Sequence, residues 1–297
     1  GKPGTSTMIT ARFQAIVLAG ERPQGNPLRL ALDLPAGVLA PLAGQTCIER
    51  VVQSLRTSRS VAGGILCGPS APVMEQAPEL RELLAPGDFR WLAPADGPAA
   101  SAVAAAAVID TAPLLVTTAD HGLLQSATID AFCESALTAA AEARQPDVLV
   151  GLVPYPLVQR AFPQSRRTLL RFSDGVFCGS NLFAVMTRPG VAALRFWSAV
   201  ETHRKSPWKI ARQLGAMTLL RYLCRKLPVD QAFQVLSQRA GCTIGWVAVS
   251  EPRAAVDIDS LADWKLACAL LEREAVARRT TACADDRAPA GGTTRRS

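Results

Sequence analysis

The sequence predicts an α/β protein whose central sheet is mostly parallel. Short apolar runs alternate with segments of helical periodicity in the first half of the chain, and strands separated by helices usually pair in parallel. Composition agrees, because 49% hydrophobic residues with only 5% aromatics favour helices packed closely on a sheet over a β-sandwich. A length of 297 residues fits one large domain, or one domain with a long insertion.

The predicted elements follow in order along the chain. After the first strand, residues 20–40 are rich in proline and glycine and are predicted to be irregular. Thr46 and Glu49 have the spacing of a capping box at the start of the first helix. Strands are predicted at 14–19, 61–67, 89–92, 113–117, 147–153, 177–186 and 243–249, and helices at 46–55, 79–84, 99–109, 128–144 and 260–274. Ligands of such a sheet gather at the carboxyl ends of its strands.

One domain is predicted to span residues 11–275, with a helical insertion at 188–240. We expect residues 1–10 to be a vector-derived, disordered leader and residues 278–297 to be a disordered tail. Eight cysteines without a CxxC pair and only two histidines argue against a zinc cluster. With no signal peptide and no apolar run of about 20 residues, we expect a reduced, cytoplasmic protein.

Two segments after predicted strands carry groups that suit a nucleotide. The first is the loop Leu18, Ala19, Gly20, Glu21 and Arg22. Its backbone N–H groups can approach phosphate oxygens, and Arg22 adds a positive charge. The same residues would also be found in an ordinary surface turn. The second segment, residues 96–101, opens the alanine-rich helix. There Gly97 and Ser101 either receive a nucleobase or phosphate, or form a turn and a cap.

Aspartates near strand ends are candidate ligands for Mg²⁺. Asp120 comes just past a buried strand, where it binds metal or caps a turn, and we favour the metal. We expect the neighbouring His121 either to shape the loop or to contact the metal ligands without binding the metal itself. Asp257 and Asp259 lie on one side of an extended segment, where they repel unless a cation or N–H donors lie between them. Asp263 suits the start of the last helix, and Asp259 could share that role, so Asp257 is the stronger ligand candidate.

These motifs occur in the order found in a known family. LAGxR after the first strand, TTADH after the fourth and VDIDSLADW before the last helix resemble a nucleotidyltransferase of the MobA-like class, over residues 14–153 and 175–271. The resemblance implies a three-layer, Rossmann-like fold of the nucleotide-diphospho-sugar transferase type. It also implies transfer from an NTP to a phosphorylated acceptor, with release of pyrophosphate. Residues 18–22 would then hold the triphosphate, 96–101 would lie near the base, Asp120 and Asp257 would hold Mg²⁺, and Asn181 would face the acceptor.

The chain departs from the family pattern in the phosphate-binding region. Glu21 replaces a glycine of the usual LAGGxGxR, and the lysine that would neutralise the α-phosphate falls at Gly37. A divergent enzyme and a binding protein descended from enzymes are both consistent with that loss. A basic cluster on the acceptor side consists of Arg166, Arg167 and Arg171. It is either a solvated loop, a binding site for an anionic acceptor, or the source of the missing phosphate contact.

The insertion carries most of the positive charge. Residues 188–239 contain ten Lys and Arg against two acids, so their net charge of +8 exceeds the +7 of the whole chain. Basic helices that also carry Trp, Leu and Phe either lie in an anionic membrane interface or form a helical subdomain with a solvated cationic face. Nucleic acid is disfavoured, because no helix-turn-helix, RRM or OB signature accompanies the charge.

Together these features predict a Mg²⁺-dependent nucleotidyltransferase with Arg22, Asp120 and Asp257 as its catalytic residues. It would join a nucleoside triphosphate, either CTP or GTP, to a small phosphorylated acceptor. The acceptor could be a precursor of a lipid headgroup or of an envelope polymer. We expect a cytoplasmic enzyme with peripheral association at the inner membrane face. The alternatives are a catalytically silent nucleotide- or lipid-binding protein of the same fold, and a nucleotide-sugar-dependent glycosyltransferase.

Overall fold

A mixed, mostly parallel sheet with helices on both faces forms the centre of the computed structural model, which describes residues 12–21, 25–141, 145–202 and 215–285. The strands within these residues are β1 (Phe13–Leu18), β2 (Pro41–Leu42), β3 (Gln45–Thr46), β4 (Val61–Cys67), β5 (Phe89–Leu92), β6 (Leu114–Thr118), β7 (Val148–Pro154), β8 (Leu170–Arg171), β9 (Val176–Val185) and β10 (Ile244–Ala248). The sheet order is β10-β7-β9-β6-β1-β4-β5, with β8 paired to β9 and a separate β2–β3 hairpin. β9 runs antiparallel to β6, β7 and β8, whereas the other neighbours in the sheet are parallel.

Helices connect the strands. Within the described residues they are α1 (Pro27–Leu32), α2 (Cys47–Thr57), α3 (Ala71–Gln76), α4 (Pro78–Leu84), α5 (Pro98–Ile109), α6 (Ser126–Ala141), α7 (Tyr155–Ala161), α8 (Val191–Thr202), α9 (Ala216–Leu223), α10 (Val229–Ala240) and α11 (Leu261–Asp285). Short 3₁₀ turns occupy Gly37–Leu39, Arg188–Gly190 and Pro252–Ala255. The capping box predicted for Thr46 and Glu49 is present at the start of α2.

The sheet is covered on both faces because alternate side chains of a strand point in opposite directions. Ala15 and Val17 of β1 belong to the core shared with α2, α4, α6 and α11. Ile16 and Leu18 belong to a second core, formed with the alanines of α5 and with α8. The three-layer α/β architecture and the mostly parallel sheet are therefore confirmed.

The predicted strands are all present, each with ends within one residue of the predicted positions. Five short elements with α-helical or strand structure were not predicted: α1, α3, α7, β8 and the β2–β3 hairpin. The three helices have six or seven residues and a proline in their first turn. Proline is favourable there because the first helical N–H groups have no partner within the helix, although its presence suggested irregular structure.

The closing helix is longer than predicted. α11 runs from Leu261 to Asp285, so residues 278–285 are helical rather than part of a disordered tail. The described part of the insertion at 188–240 is helical, as predicted, in α8, α9 and α10. The leader at 1–10, residues 286–297 of the tail and residues 203–214 of the insertion lie outside the described residues.

Candidate active site

The loop after β1 lies against the ends of neighbouring strands. Ala19 donates its N–H to the carbonyl of Cys67 at the end of β4, at 2.8 Å. Leu18 and Ala19 are buried, and the Ala19 N–H and the Leu18 carbonyl are already bonded to neighbouring strands, so these two groups are not left for a phosphate. Gly20 is exposed, and a Cβ added there would come within 3.1 Å of the Cβ of Pro94 in the loop after β5. The glycine thus allows the two loops to approach each other closely.

Glu21 uses its carboxylate within the fold. It accepts a hydrogen bond from the Gly37 N–H at 2.5 Å and forms an ion pair with Arg29 at 3.4 Å. Its side chain is only 19% exposed. The acid that replaces a glycine of the family loop therefore ties this loop to the segment around residue 37. Arg22 lies outside the described residues, and its contact with a phosphate stays a prediction.

At Gly37, where the family pattern has a lysine, the space for a side chain is occupied by another residue. Gly37 is buried, and a Cβ added to it would lie 2.4 Å from Nδ2 and 2.7 Å from Cγ of Asn26. Asn26 is held in place because its side chain accepts the Leu28 N–H at 2.8 Å and caps α1. A lysine at position 37 would require Asn26 to move.

Ser101 at the start of α5 is 3% exposed, and its hydroxyl accepts the N–H of Ala95 at 2.9 Å. Its carbonyl accepts the weak Cys67 thiol bond at 3.7 Å. Gly97 is exposed and precedes the helix with φ of 105°, a conformation that favours glycine. Ser101 therefore stabilises the turn before α5 rather than capping the helix, and Gly97 is accessible to solvent.

Asp120 and the segment of Asp257 lie side by side at the end of β6. The N–H of Ile258 donates to the Asp120 carbonyl at 2.9 Å, so the residues on either side of Ile258 flank the strand end. The hydroxyl of Thr118 donates to the Asp120 carboxylate. Burial raises the pKa of Asp120, and the nearby charge of Asp257 raises it further against the opposing effects of His121 and Thr118.

Arg167 is the principal partner of Asp257. It donates to Asp257 Oδ1 at 2.7 Å and also bonds the carboxylate of Asp263. The arginine side chain is only 5% exposed, while that of Asp257 is 39% exposed. The expectation that Arg167 contacts the acceptor is therefore not supported, because its guanidinium is already bound to two carboxylates. The role given to Asp263 is confirmed, since its N–H and carboxylate both bond the hydroxyl of Ser260 at the start of α11.

Asp259 completes a group of acids around this corner. Burial raises its pKa to about 6, with further contributions from Asp257, from a hydrogen bond to Asp263 and from Asp120. Arg167 carries one positive charge for these four carboxylates. The local excess of negative charge favours an additional cation.

The donor set suits Mg²⁺ bound partly by substrate. Within the described ranges, no group of three or more His, Cys, Asp and Glu side chains is arranged to hold a metal ion. Mg²⁺ is commonly bound by one or two carboxylates together with waters and substrate phosphates, so such a group is not required. Asp120 and the half-exposed Asp257 are the residues that could provide the carboxylates.

Residues that were not predicted support the loop after β6. Arg50 of α2 donates through Nε to the Gly122 carbonyl at 2.9 Å. His121 is 1% exposed, burial lowers its pKa, and its Nδ1 has no hydrogen-bond partner among the described residues. Thr118 was the other omission, and its signal was the second threonine of the TTADH motif. No local sequence pattern indicated Arg50, because Arg50 and Gly122 are 72 positions apart in the chain.

Asn181 lies on β9, near the same edge of the sheet. It has φ of 52° within an irregularity of β9, where Gly179 pairs with Leu152 and Phe183 pairs with Val150. On the β6 side the last pair is Val116 with Phe183, so Asn181 lies two residues further along β9, in the direction of the β6 carboxyl end. This is where the resemblance places an acceptor contact. The remaining arginines of the basic cluster, Arg166 and Arg171, are exposed.

Comparisons with known proteins identify the family and the fold of the chain. The profile of the MobA-like NTP transferase domain matches residues 15–172, which is more than half of the chain. No curated protein matches the chain. A hypothetical transferase from Thermus thermophilus superposes with a TM-score of 0.69 at 23% identity, over 85% of this chain and 99% of that one.

Two solved cytidylyl-type enzymes have the same fold at lower identity. CMP:2-keto-3-deoxy-manno-octonic acid synthetase, complexed with CTP, has a TM-score of 0.55 at 12% identity over 89% of this chain and 100% of that one. The 4-diphosphocytidyl-2C-methyl-D-erythritol synthase from Anaerococcus prevotii has a TM-score of 0.52 at 10% identity, over 89% and 99%. At these identities the likeness establishes the fold alone. Because the matched profile covers more than half of its length, the chain belongs to the MobA-like NTP transferase family of nucleotidyltransferases.

Proposed function

We propose that this protein is a Mg²⁺-dependent nucleotidyltransferase. It joins a nucleoside triphosphate, either CTP or GTP, to a small phosphorylated acceptor and releases pyrophosphate. The observation that carries the proposal is the hydrogen bond from Ile258 to Asp120, which brings the strand-end carboxylate beside Asp257 and Asp259. Family membership supports nucleotidyl transfer. Relatives of the same fold include one complexed with CTP, which supports the choice of CTP.

In the proposed reaction, an oxygen of the acceptor phosphate attacks the α-phosphorus of the NTP in line. The new P–O bond forms as the bond between the α-phosphorus and the bridging oxygen breaks, and the electron pair leaves with pyrophosphate. The acceptor phosphate is already ionised, so no general base is needed. Mg²⁺, when bound, would supply neutralisation of the charge that develops on the phosphates.

The remaining roles, which are metal binding and contacts to the two substrates, are proposed for the following residues. Asp120 and Asp257 hold the metal, with Asp259 as a further ligand, while the backbone N–H groups after β1 and Arg22 hold the departing pyrophosphate. Arg167 positions Asp257 rather than binding the acceptor, since its guanidinium is occupied. Acceptor contacts are proposed for Asn181, Arg166 and Arg171, and a contact near the base for Gly97.

A catalytically silent binding protein is the second candidate, and a specific observation favours it. Asn26 fills the space beside Gly37, where the family pattern has a lysine that would neutralise the α-phosphate. Loss of one such cation costs a few kcal/mol of transition-state stabilisation, about 10²–10³ in rate. A silent protein would bind NTP without turnover.

Pyrophosphate release decides between these functions. The purified protein would be assayed with Mg²⁺, the four NTPs and a panel of phosphorylated acceptors. Release that depends on both substrates supports the transferase, whereas an NTP-dependent rise in melting temperature without release supports the silent protein. Binding of UDP-sugars without NTP turnover would select a glycosyltransferase.

Peripheral association with an anionic membrane through residues 188–240 belongs to the same proposal, because an acceptor for a lipid or envelope product would be used near that surface. The helices in the described residues include none with the length and apolar character needed to cross a bilayer.

A further inference from the structure

Helix α9 has an apolar face that the described residues leave uncovered. Met217, Leu220 and Leu223 are 68%, 54% and 68% exposed. Residues three apart lie on the same side of a helix, so these side chains form a continuous row, which we call the apolar stripe. Single exposed apolar residues are ordinary on protein surfaces, but a row of three large ones on one short helix indicates a partner.

The opposite face of α9 is fixed to the sheet. The ring of Tyr222 meets that of Phe172 edge-on, with centroids 5.7 Å apart, and its hydroxyl accepts the Arg171 N–H at 3.3 Å. Phe172 packs in turn against Phe177 of β9, at 6.2 Å between centroids. These contacts hold the inner side of α9 against the domain, so the apolar stripe faces outward in a defined orientation.

Positive charge borders the stripe. Arg221, Arg225 and Lys226 are all exposed. Arg221 donates to the Lys226 carbonyl at 3.2 Å and to the side-chain oxygen of Gln231 at 2.7 Å, both of which are uncharged acceptors. In the part of the chain that the structure describes, the ion pairs involve none of these three cations. Their charge is therefore available to an anionic partner.

We propose that the apolar stripe and its three cations dock on the interface of an anionic lipid bilayer. The stripe would enter the boundary between headgroups and acyl chains, while the cations contact lipid phosphates. A second copy of the chain is a poorer fit, because a symmetric contact would bring the cations of both copies together. This inference narrows the membrane association of residues 188–240 to one helix face, and it does not depend on which nucleotide the enzyme uses.

Vesicle co-sedimentation of the full chain tests the proposal. We expect binding to vesicles of equimolar phosphatidylglycerol and phosphatidylcholine, weaker binding as salt rises, and no binding to phosphatidylcholine alone. The double variant Leu220→Ser/Leu223→Ser should bind about tenfold more weakly, or worse. Arg225→Glu/Lys226→Glu should lose at least about fivefold for each cation removed.

Matched controls come from other surfaces. Leu30→Ser removes a leucine that is 73% exposed on α1, and Arg90→Glu reverses an exposed charge on β5, at the other edge of the sheet. Both should bind anionic vesicles like the parent, and all variants should keep the parent's melting temperature. The proposal is overturned if the parent does not bind anionic vesicles, if the stripe variants bind as well as the controls, or if the stripe variants change only self-association in light scattering. Since the vesicle assay contains no NTP, its failure and failure of pyrophosphate release are separate results.

Discussion

Arg167 and Asp257, 90 positions apart, are joined by a 2.7 Å ion pair that connects the segment before β8 to the segment before α11. The same guanidinium holds Asp263 in the first turn of α11, where the Asp263 N–H donates to the hydroxyl of Ser260. Among the described residues the Asp257 carboxylate is bonded by Arg167, and 39% of its side chain is exposed, so it can still present an oxygen to a ligand. The arginine thus sets the position of a candidate metal ligand without closing the site.

Replacing Arg167 should destabilise the protein. Arg167→Met leaves two carboxylates facing each other without a cation, and removing one partner of a buried pair is costly. Because Asp257 is partly exposed to water, we expect a loss of about 2–3 kcal/mol in the free energy of unfolding rather than more. Urea denaturation measures it. Arg166→Met removes an exposed neighbour and should change stability by less than about 0.5 kcal/mol. Equal stability of the two variants would contradict the role assigned to Arg167.

Asp120→Asn should remove most of the turnover. The variant keeps the size of the side chain and its bond to Thr118 but loses the charge that would hold Mg²⁺, so we expect kcat to fall at least about 10²-fold. Pyrophosphate release at saturating substrates measures this. Asp110→Asn, an exposed carboxylate at the end of α5, is the matched control and should keep the parental rate. Full metal-dependent activity in Asp120→Asn would rule out the proposed site.

Much of the fold was predictable because buried parallel strands are continuous apolar runs. β4 and β5 were predicted with the correct ends, since Ser60 and Gly68 bound the first run, and Asp88 and Pro94 lie at the two sides of the second. α1 was not predicted, because proline and glycine dominate its surroundings and only the Asn26 cap indicated a helix. Short helices that depend on a single cap and one buried side chain have little periodicity to detect.

The site was predictable only in part. The rule that parallel strands present their carboxyl ends at one edge placed Asp120 at the ligand edge of the sheet. The pairing of Asp120 with Asp257 was implied only by the resemblance to the family. The pairing of Arg167 with Asp257 depends on side chains from distant segments meeting in space, and no local pattern encodes it. For the same reason, the sequence showed the missing lysine at Gly37 but not that Asn26 occupies the vacated space.

A lysine at position 37 should be tolerated only when Asn26 is made smaller. Gly37→Lys alone places a Cβ 2.4 Å from Asn26 Nδ2, and such overpacking costs about 1–3 kcal/mol. Asn26→Ala alone removes the cap of α1, at about 1 kcal/mol. In the double variant the clash is relieved, so its loss of stability should be smaller than the sum of the two single losses. A thermodynamic cycle from denaturation curves measures this coupling, and strict additivity would contradict the steric explanation.

Asp259 should make stability depend on pH between about 4 and 6. Its pKa rises from 3.8 to about 6 in the folded protein, mainly through burial and then through Asp257. The folded state therefore binds this proton more tightly than the unfolded state, so the contribution of Asp259 is most favourable below pH 4 and declines as pH rises through 6. After allowance for solvent screening, the decline should be about 1 kcal/mol.

Asp259→Asn cannot ionise, so in denaturation curves it should lose this decline and be more stable than the parent at pH 7. Mg²⁺ should reduce the difference between the two proteins, because a cation near Asp257 and Asp259 favours their ionised forms. Asp230→Asn, an exposed acid on α10, serves as the control and should keep the parental pH dependence. If Asp259→Asn kept the full decline between pH 4 and 6, another group would be responsible, and Asp259 would not belong to the carboxylate cluster at the end of β6.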